Sequence, residues 1–241
     1  MATRDAIVAA TGSMLVGLYL SGSLVAGDFD PDVSDLDLIA VLTRPPTDEL
    51  GLALRAMHAR LAARYPRWEG RIEVVYVGEA DLINWRAGIL RLGVVSPGEP
   101  FHIVAGGPDW VVNWYPARQQ AVALVGPPIA TVLPAIPRAE YMDAVRDYLR
   151  RFAEWADDGT SRGSQAYAIL SICRGLHTGN TGERLSKHRA AAWAARTYPE
   201  WADLIEAALT WRAEQWTEAN VDGAATVATT RRFIAAMVPL A

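Results

Sequence analysis

The sequence predicts an α/β domain followed by an all-α domain, and two observations carry that expectation. In the first half, apolar runs at residues 36–42 (LDLIAVL) and 71–77 (RIEVVYV) flank a helical pattern over residues 47–64. From Arg138 onward only helical spacing remains, and Pro134 and Pro137 punctuate the change. The expected domains are therefore residues 1–135 and 136–241.

Taken in order, residues 3–16 read as a helix with Ile7, Val8, Met14 and Leu15 as its apolar stripe and Thr3 as a cap. Residues 18–20 read as a strand running into Ser21-Gly22-Ser23, a tight turn that opens a short helix. An acidic loop then leads into the second strand at residues 36–42. Pro45-Pro46 precede the helix over 47–64, where Thr47 is the cap and Leu50, Leu54, Met57 and Leu61 form the buried stripe. His58 on that helix is expected at the surface or the edge of the core. The strand over residues 71–77 follows, with Glu73 embedded in it. Residues 79–105 are mixed, with a turn at Pro97-Gly98 and a short strand over 101–104. Gly106-Gly107-Pro108-Asp109 reads as a turn, and residues 121–125 are an apolar run ended by Gly126-Pro127-Pro128. Five helices are expected after residue 137, marked by residues 141–152, 164–177, 186–198, 201–216 and 226–238, the third capped by Ser186.

Composition narrows the function classes. A chain of 241 residues, half of them hydrophobic (51%), can bury a sizeable core. A net charge of −4 provides no basic footprint for nucleic acid. No run reaches the roughly 18 apolar residues of a membrane span, and no apolar leader is visible. The single cysteine, Cys173, lies in an apolar helical run and reads as a small buried hydrophobe. The expectation is a cytoplasmic monomer.

The chemistry concentrates between residues 18 and 42. Asp35 and Asp37 stand two residues apart where a strand begins, so strand alternation turns both carboxylates to one face. Paired carboxylates beside a Gly-Ser turn suit Mg²⁺ and a phosphate: the hard cation takes oxygen ligands, and backbone N–H groups hold phosphate oxygens. Glu73 becomes a third carboxylate if its strand lies beside the Asp35/Asp37 strand. A charge in a buried strand needs a partner of this kind.

This arrangement, Gly22-Ser23 and then Asp35-Leu36-Asp37, each beside an apolar strand, resembles the signature of the nucleotidyltransferase superfamily that includes DNA polymerase beta. The resemblance implies a polymerase-beta-like nucleotidyltransferase domain with a mixed sheet. Residues 164–209 resemble the helical domain of the aminoglycoside 3''-adenylyltransferases, which modify streptomycin and spectinomycin. The shared features are the apolar run ending in Cys173-Arg174, the Thr181-Gly182 turn, Ser186-Lys187 and the Ala-rich helix with Trp193. Residues 123–127 (ALVGP) match a further segment of that family.

The family resemblance implies AMP transfer from MgATP to a hydroxyl of a small cationic substrate, with pyrophosphate released. Asp35, Asp37 and Glu73 would be the catalytic and metal-binding set, with Glu73 as the base. Gly22, Ser23, Ser34, Arg174 and Lys187 would serve the nucleotide, the last two from a C-terminal helical bundle that clamps ATP and substrate. Trp155 matches an aromatic residue that packs on streptomycin, and Trp110 a second substrate-side aromatic. Thr160, Ser164 and Tyr167 stand where the streptomycin-modifying enzymes carry acidic and histidine residues, and Asp157 and Asp158 lie nearby as replacements. Lys187 is conspicuous on composition alone: of 23 lysines and arginines it is the one lysine. Two other readings use the same residues. One is adenylyl transfer to a different small molecule or a protein; the other is a non-catalytic nucleotide-binding protein.

Overall fold

The computed structural model describes residues 2–96, 99–154, 161–214 and 223–240, and the chain divides into two units, Met1–Ala135 and Ile136–Ala241. The first unit runs α1 (Ala2–Thr11), β1 (Leu15–Leu20), α2 (Gly22–Val25), β2 (Leu36–Leu42), α3 (Asp48–Arg64) and β3 (Ile72–Gly78). It continues through α4 (Glu79–Ile83), β4 (Leu90–Ser96), β5 (Glu99–Gly106), α5 (Val111–Gln120), β6 (Val122–Val125) and α6 (Ile129–Val132). The strands form one sheet in the order β5-β4-β3-β2-β1-β6. It is mixed: β2 and β3 are parallel and every other neighbouring pair is antiparallel. The parallel pair follows from α3, which supplies the long crossover that parallel strands need.

One sheet face is a continuous apolar layer. Leu18, Leu38, Ala40, Leu42, Ile72, Val74 and Tyr76 pack with Ile7 of α1 and with Leu50, Leu54, Met57 and Leu61 of α3. Thr47 caps α3, its side chain accepting from the Leu50 N–H at 3.2 Å, a contact worth about 1 kcal/mol. Strand alternation sends Asp37, Ile39 and Val41 to the opposite face.

Several elements differ from the sequence expectation. The helix expected over residues 3–16 ends at Thr11, whose hydroxyl donates back to the Ile7 carbonyl at 2.7 Å, and Gly12 turns left-handed at φ 54°. Thr3 thus lies inside the helix, and Leu15 opens β1 instead of closing a stripe. β4 was not expected as a strand. Gly93 interrupts its side-chain pattern because a Cβ there would press on the Phe101 ring. α5 was hidden by an internal proline, Pro116. The apolar run at 121–125 supplies β6, an edge strand whose Val122 and Leu124 are exposed. His58 is more buried than expected. It lies 2.7 Å from the Tyr76 hydroxyl, and burial lowers its pKa to about 4.

The second unit contains α7 (Arg138–Arg151), α8 (Arg162–Thr181), α9 (Lys187–Thr197), α10 (Ala202–Glu214) and α11 (Ala224–Met237). α8 is its axis and packs against the other four. Ala166, Ile169, Leu170, Ile172, Cys173 and Leu176 give α8 its buried sides. A helix apolar around most of its circumference belongs at the centre of a bundle. Ser161 caps its start, and Gly182 at φ 71° ends it in the left-handed conformation. Cys173 is buried, which pushes its thiol pKa up to about 12 and keeps it protonated.

Candidate active site

The β1–α2 turn and the start of β2 meet at one end of the sheet. Ser21 closes the turn, its N–H donating to the Asp37 carbonyl at 2.9 Å. Gly22 follows at φ 69°, and a Cβ there would overlap the Asp37 carboxylate. Only glycine meets both demands, a left-handed backbone and a neighbouring carboxylate in van der Waals contact. Ser23 is half-buried in the single turn of α2.

Asp37 is paired in register with Glu73 across the parallel β2–β3 ladder. Register partners on adjacent strands project to the same face, so the two carboxylates stand side by side. Asp35 is two residues before Asp37 and has the same parity; its Oδ1 is shielded from solvent. All three acids are half-buried as residues.

The loop that carries Asp35 is held by a residue the sequence reading overlooked. Arg71 is 5% exposed, and its Nη2 donates to the Pro31 carbonyl at 2.9 Å and to the Ser34 carbonyl at 2.6 Å. Its guanidinium lies over the Trp68 ring at 5.1 Å, and its own carbonyl accepts from the Leu36 N–H at 2.8 Å. Trp68 in turn stacks on Phe29 of the loop, and Arg67 pairs with Asp32 at 2.9 Å. A cation at the mouth of an apolar strand was the available signal. Ser34 is 2% exposed and its Oγ accepts from the Asp30 N–H at 3.0 Å, a bond that shapes the loop.

The donor set fits Mg²⁺, which takes hard oxygen ligands and completes its shell with water and substrate phosphate. It does not form an all-protein cage. Among the described residues no group of three or more His, Cys, Asp or Glu is gathered closely enough to hold an ion by itself.

The other expected residues are spread across both units. Trp110 is half-buried and stacks on Trp114 with ring centroids 5.4 Å apart, a packing role in the first unit. Arg174 is half-buried on α8, and Lys187 is the first residue of α9 after its Ser186 cap. Tyr167 lies two turns before Arg174 on α8, and the Lys187 Nζ is 4.8 Å from its ring centroid. Ser164 is used by the helix start: its N–H and hydroxyl bond the Oγ and carbonyl of Ser161 at 3.2 and 2.9 Å. Those bonds make it part of the α8 cap. Trp155, Asp157, Asp158 and Thr160 lie outside the described residues.

Residues 131–237 match the family model described as aminoglycoside adenylyltransferase, C-terminal domain. The chain is 26% identical over 209 residues to a spectinomycin 9-adenylyltransferase of Staphylococcus aureus, covering 78% of this chain and 74% of that one. It is 25% identical over 194 residues to an aminoglycoside (3'') (9) adenylyltransferase of Klebsiella pneumoniae, covering 77% and 72%. The crystal structure of a spectinomycin adenyltransferase from Enterococcus faecialis with ATP and spectinomycin has the same fold. Its TM-score is 0.76 at 19% identity, with 99% of this chain and 97% of that chain covered. Among the described residues no helix is long and apolar enough to cross a membrane.

Proposed function

We propose that this chain, which belongs to the aminoglycoside adenylyltransferase family, transfers AMP from ATP to a hydroxyl of a spectinomycin- or streptomycin-type antibiotic and releases pyrophosphate. The observation that carries the reading is the register of Asp37 with Glu73 beside the Gly22-Ser23 turn. It sets two carboxylates side by side next to a turn, which supports reading one as a base and the other as a metal ligand near a nucleotide's phosphates.

In this reading Glu73 takes the proton of the acceptor hydroxyl. The freed oxygen bonds to the α-phosphorus as the bond to the bridging oxygen of pyrophosphate breaks. Asp35 and Asp37, with Glu73 beside them, would hold Mg²⁺, which neutralises triphosphate charge and aligns the displacement. Ser23 and the N–H groups of the turn receive phosphate oxygens. Arg174 and Lys187 offset the charge that develops on the leaving pyrophosphate. Arg71 keeps the Asp35 loop in place without touching substrate. Spectinomycin is the first acceptor to test, because it appears in the names of the S. aureus relative and the solved neighbour alike.

The decisive experiment is pyrophosphate release from MgATP with spectinomycin, streptomycin and further aminoglycosides. Release with one drug is expected. Asp35→Asn and Glu73→Gln are each expected to lower turnover by at least about 100-fold while leaving the melting transition in place. Full turnover in a folded Asp35→Asn protein would rule out the metal assignment. ATP binding with no release across the panel would move the acceptor to another compound class.

A further inference from the structure

We infer that Tyr167 is a positioning residue for Lys187, and through it for the nucleotide phosphates, rather than a contact for the acceptor. The inference rests on the proposed assignment of Lys187 to those phosphates.

Lys187 occupies the first turn of α9, the positive end of the helix dipole, where a cation is disfavoured. Its four-carbon stem carries a compact ammonium with many rotamers to sample. The Tyr167 ring answers both problems. The ammonium lies 4.8 Å from the ring centroid, inside the range of a cation–π contact.

The ring is itself fixed from α7. The Tyr167 hydroxyl pairs with the Tyr148 hydroxyl at 2.7 Å, and Phe152 flanks the ring with centroids 6.1 Å apart. Tyr148 and Phe152 meet edge to face at 5.2 Å. Tyr167 therefore spans α7, α8 and the start of α9, with its hydroxyl and a ring face both engaged inside the helical unit. Arg174 follows on α8 after two turns, on the same side of the helix as Tyr167.

The test is calorimetric ATP binding to the full chain in wild type, Tyr167→Leu, Tyr167→Phe, Lys187→Ala and Tyr167→Leu/Lys187→Ala proteins, with spectinomycin binding measured alongside. Lys187→Ala is expected to weaken ATP binding about tenfold and Tyr167→Leu about fivefold. The double variant should be no weaker than Lys187→Ala alone, because the ring acts through the ammonium. Tyr167→Phe, which keeps the ring, should recover most of the affinity. Spectinomycin affinity should move less than about twofold in Tyr167→Leu. Additive losses, or a Tyr167→Leu defect confined to spectinomycin, would overturn the inference while leaving Lys187 on the phosphates. An unchanged ATP affinity in Lys187→Ala would overturn both, and mark Lys187 itself as misassigned. Should Tyr167→Leu lose its melting transition, Tyr167→Gln makes the same comparison.

Discussion

Arg71 and His58 show how much rests on single buried polar side chains. Arg71 donates to two loop carbonyls, and it does so from the first position before β3. Replacing it with leucine removes both bonds and is expected to cost about 2–3 kcal/mol. Turnover should fall further than that loss alone explains, because the loop also carries Asp35. Denaturant unfolding together with pyrophosphate release measures both effects. His58 gives a pH signature. Its folded pKa, about 4, lies below the 6.5 expected of an exposed imidazole. Between those values the unfolded chain binds a proton that the folded chain refuses. The His58 contribution is therefore intact above about pH 6.5 and is lost as pH falls toward 4, by on the order of 2–3 kcal/mol. Urea titrations at pH 7 and pH 4.5 should show that slope in wild type and a reduced one in His58→Gln.

At the scale of elements, α8 and the β2–β3 pair do the organising. α8 is tied to α11 by one buried amide. Gln165 is fully buried; its Nε2 donates to the Gly223 carbonyl at 2.9 Å, while its Oε1 accepts from Thr226 and Thr230 hydroxyls at 2.9 and 2.7 Å. Leucine fits the volume but removes all three bonds across the α8–α11 seam, so Gln165→Leu should destabilise the helical unit by about 2 kcal/mol. Thermal melting followed by circular dichroism would read it, and an unchanged midpoint would show that the tie is dispensable. Helices α3 and α9 were legible in the sequence because caps and apolar spacing agreed there, and α7 because its apolar spacing alone is regular. β4 and α5 were not, because Gly93 and Pro116 answer to neighbours distant in sequence rather than to local propensity.

At the scale of the molecule, each unit buries a core of its own, one on the sheet face under α1 and α3 and one around α8. Residues 136–241 expressed alone are therefore expected to give a cooperative helical melt. A non-cooperative profile by circular dichroism would show that the unit depends on the rest of the chain.

The sequence by itself determined that an α/β half precedes a helical half. It also determined that Gly22, Asp35 and Asp37 belong to one turn-and-strand unit, because strand alternation and glycine's freedom are local properties. Only the tertiary structure decided that Glu73 lies beside Asp37, that Arg71 bonds the acidic loop, and that the Lys187 ammonium lies over the Tyr167 ring. Register between strands, and contacts between helices, depend on residues tens of positions apart. The spacing along the chain does not encode which of those residues will meet.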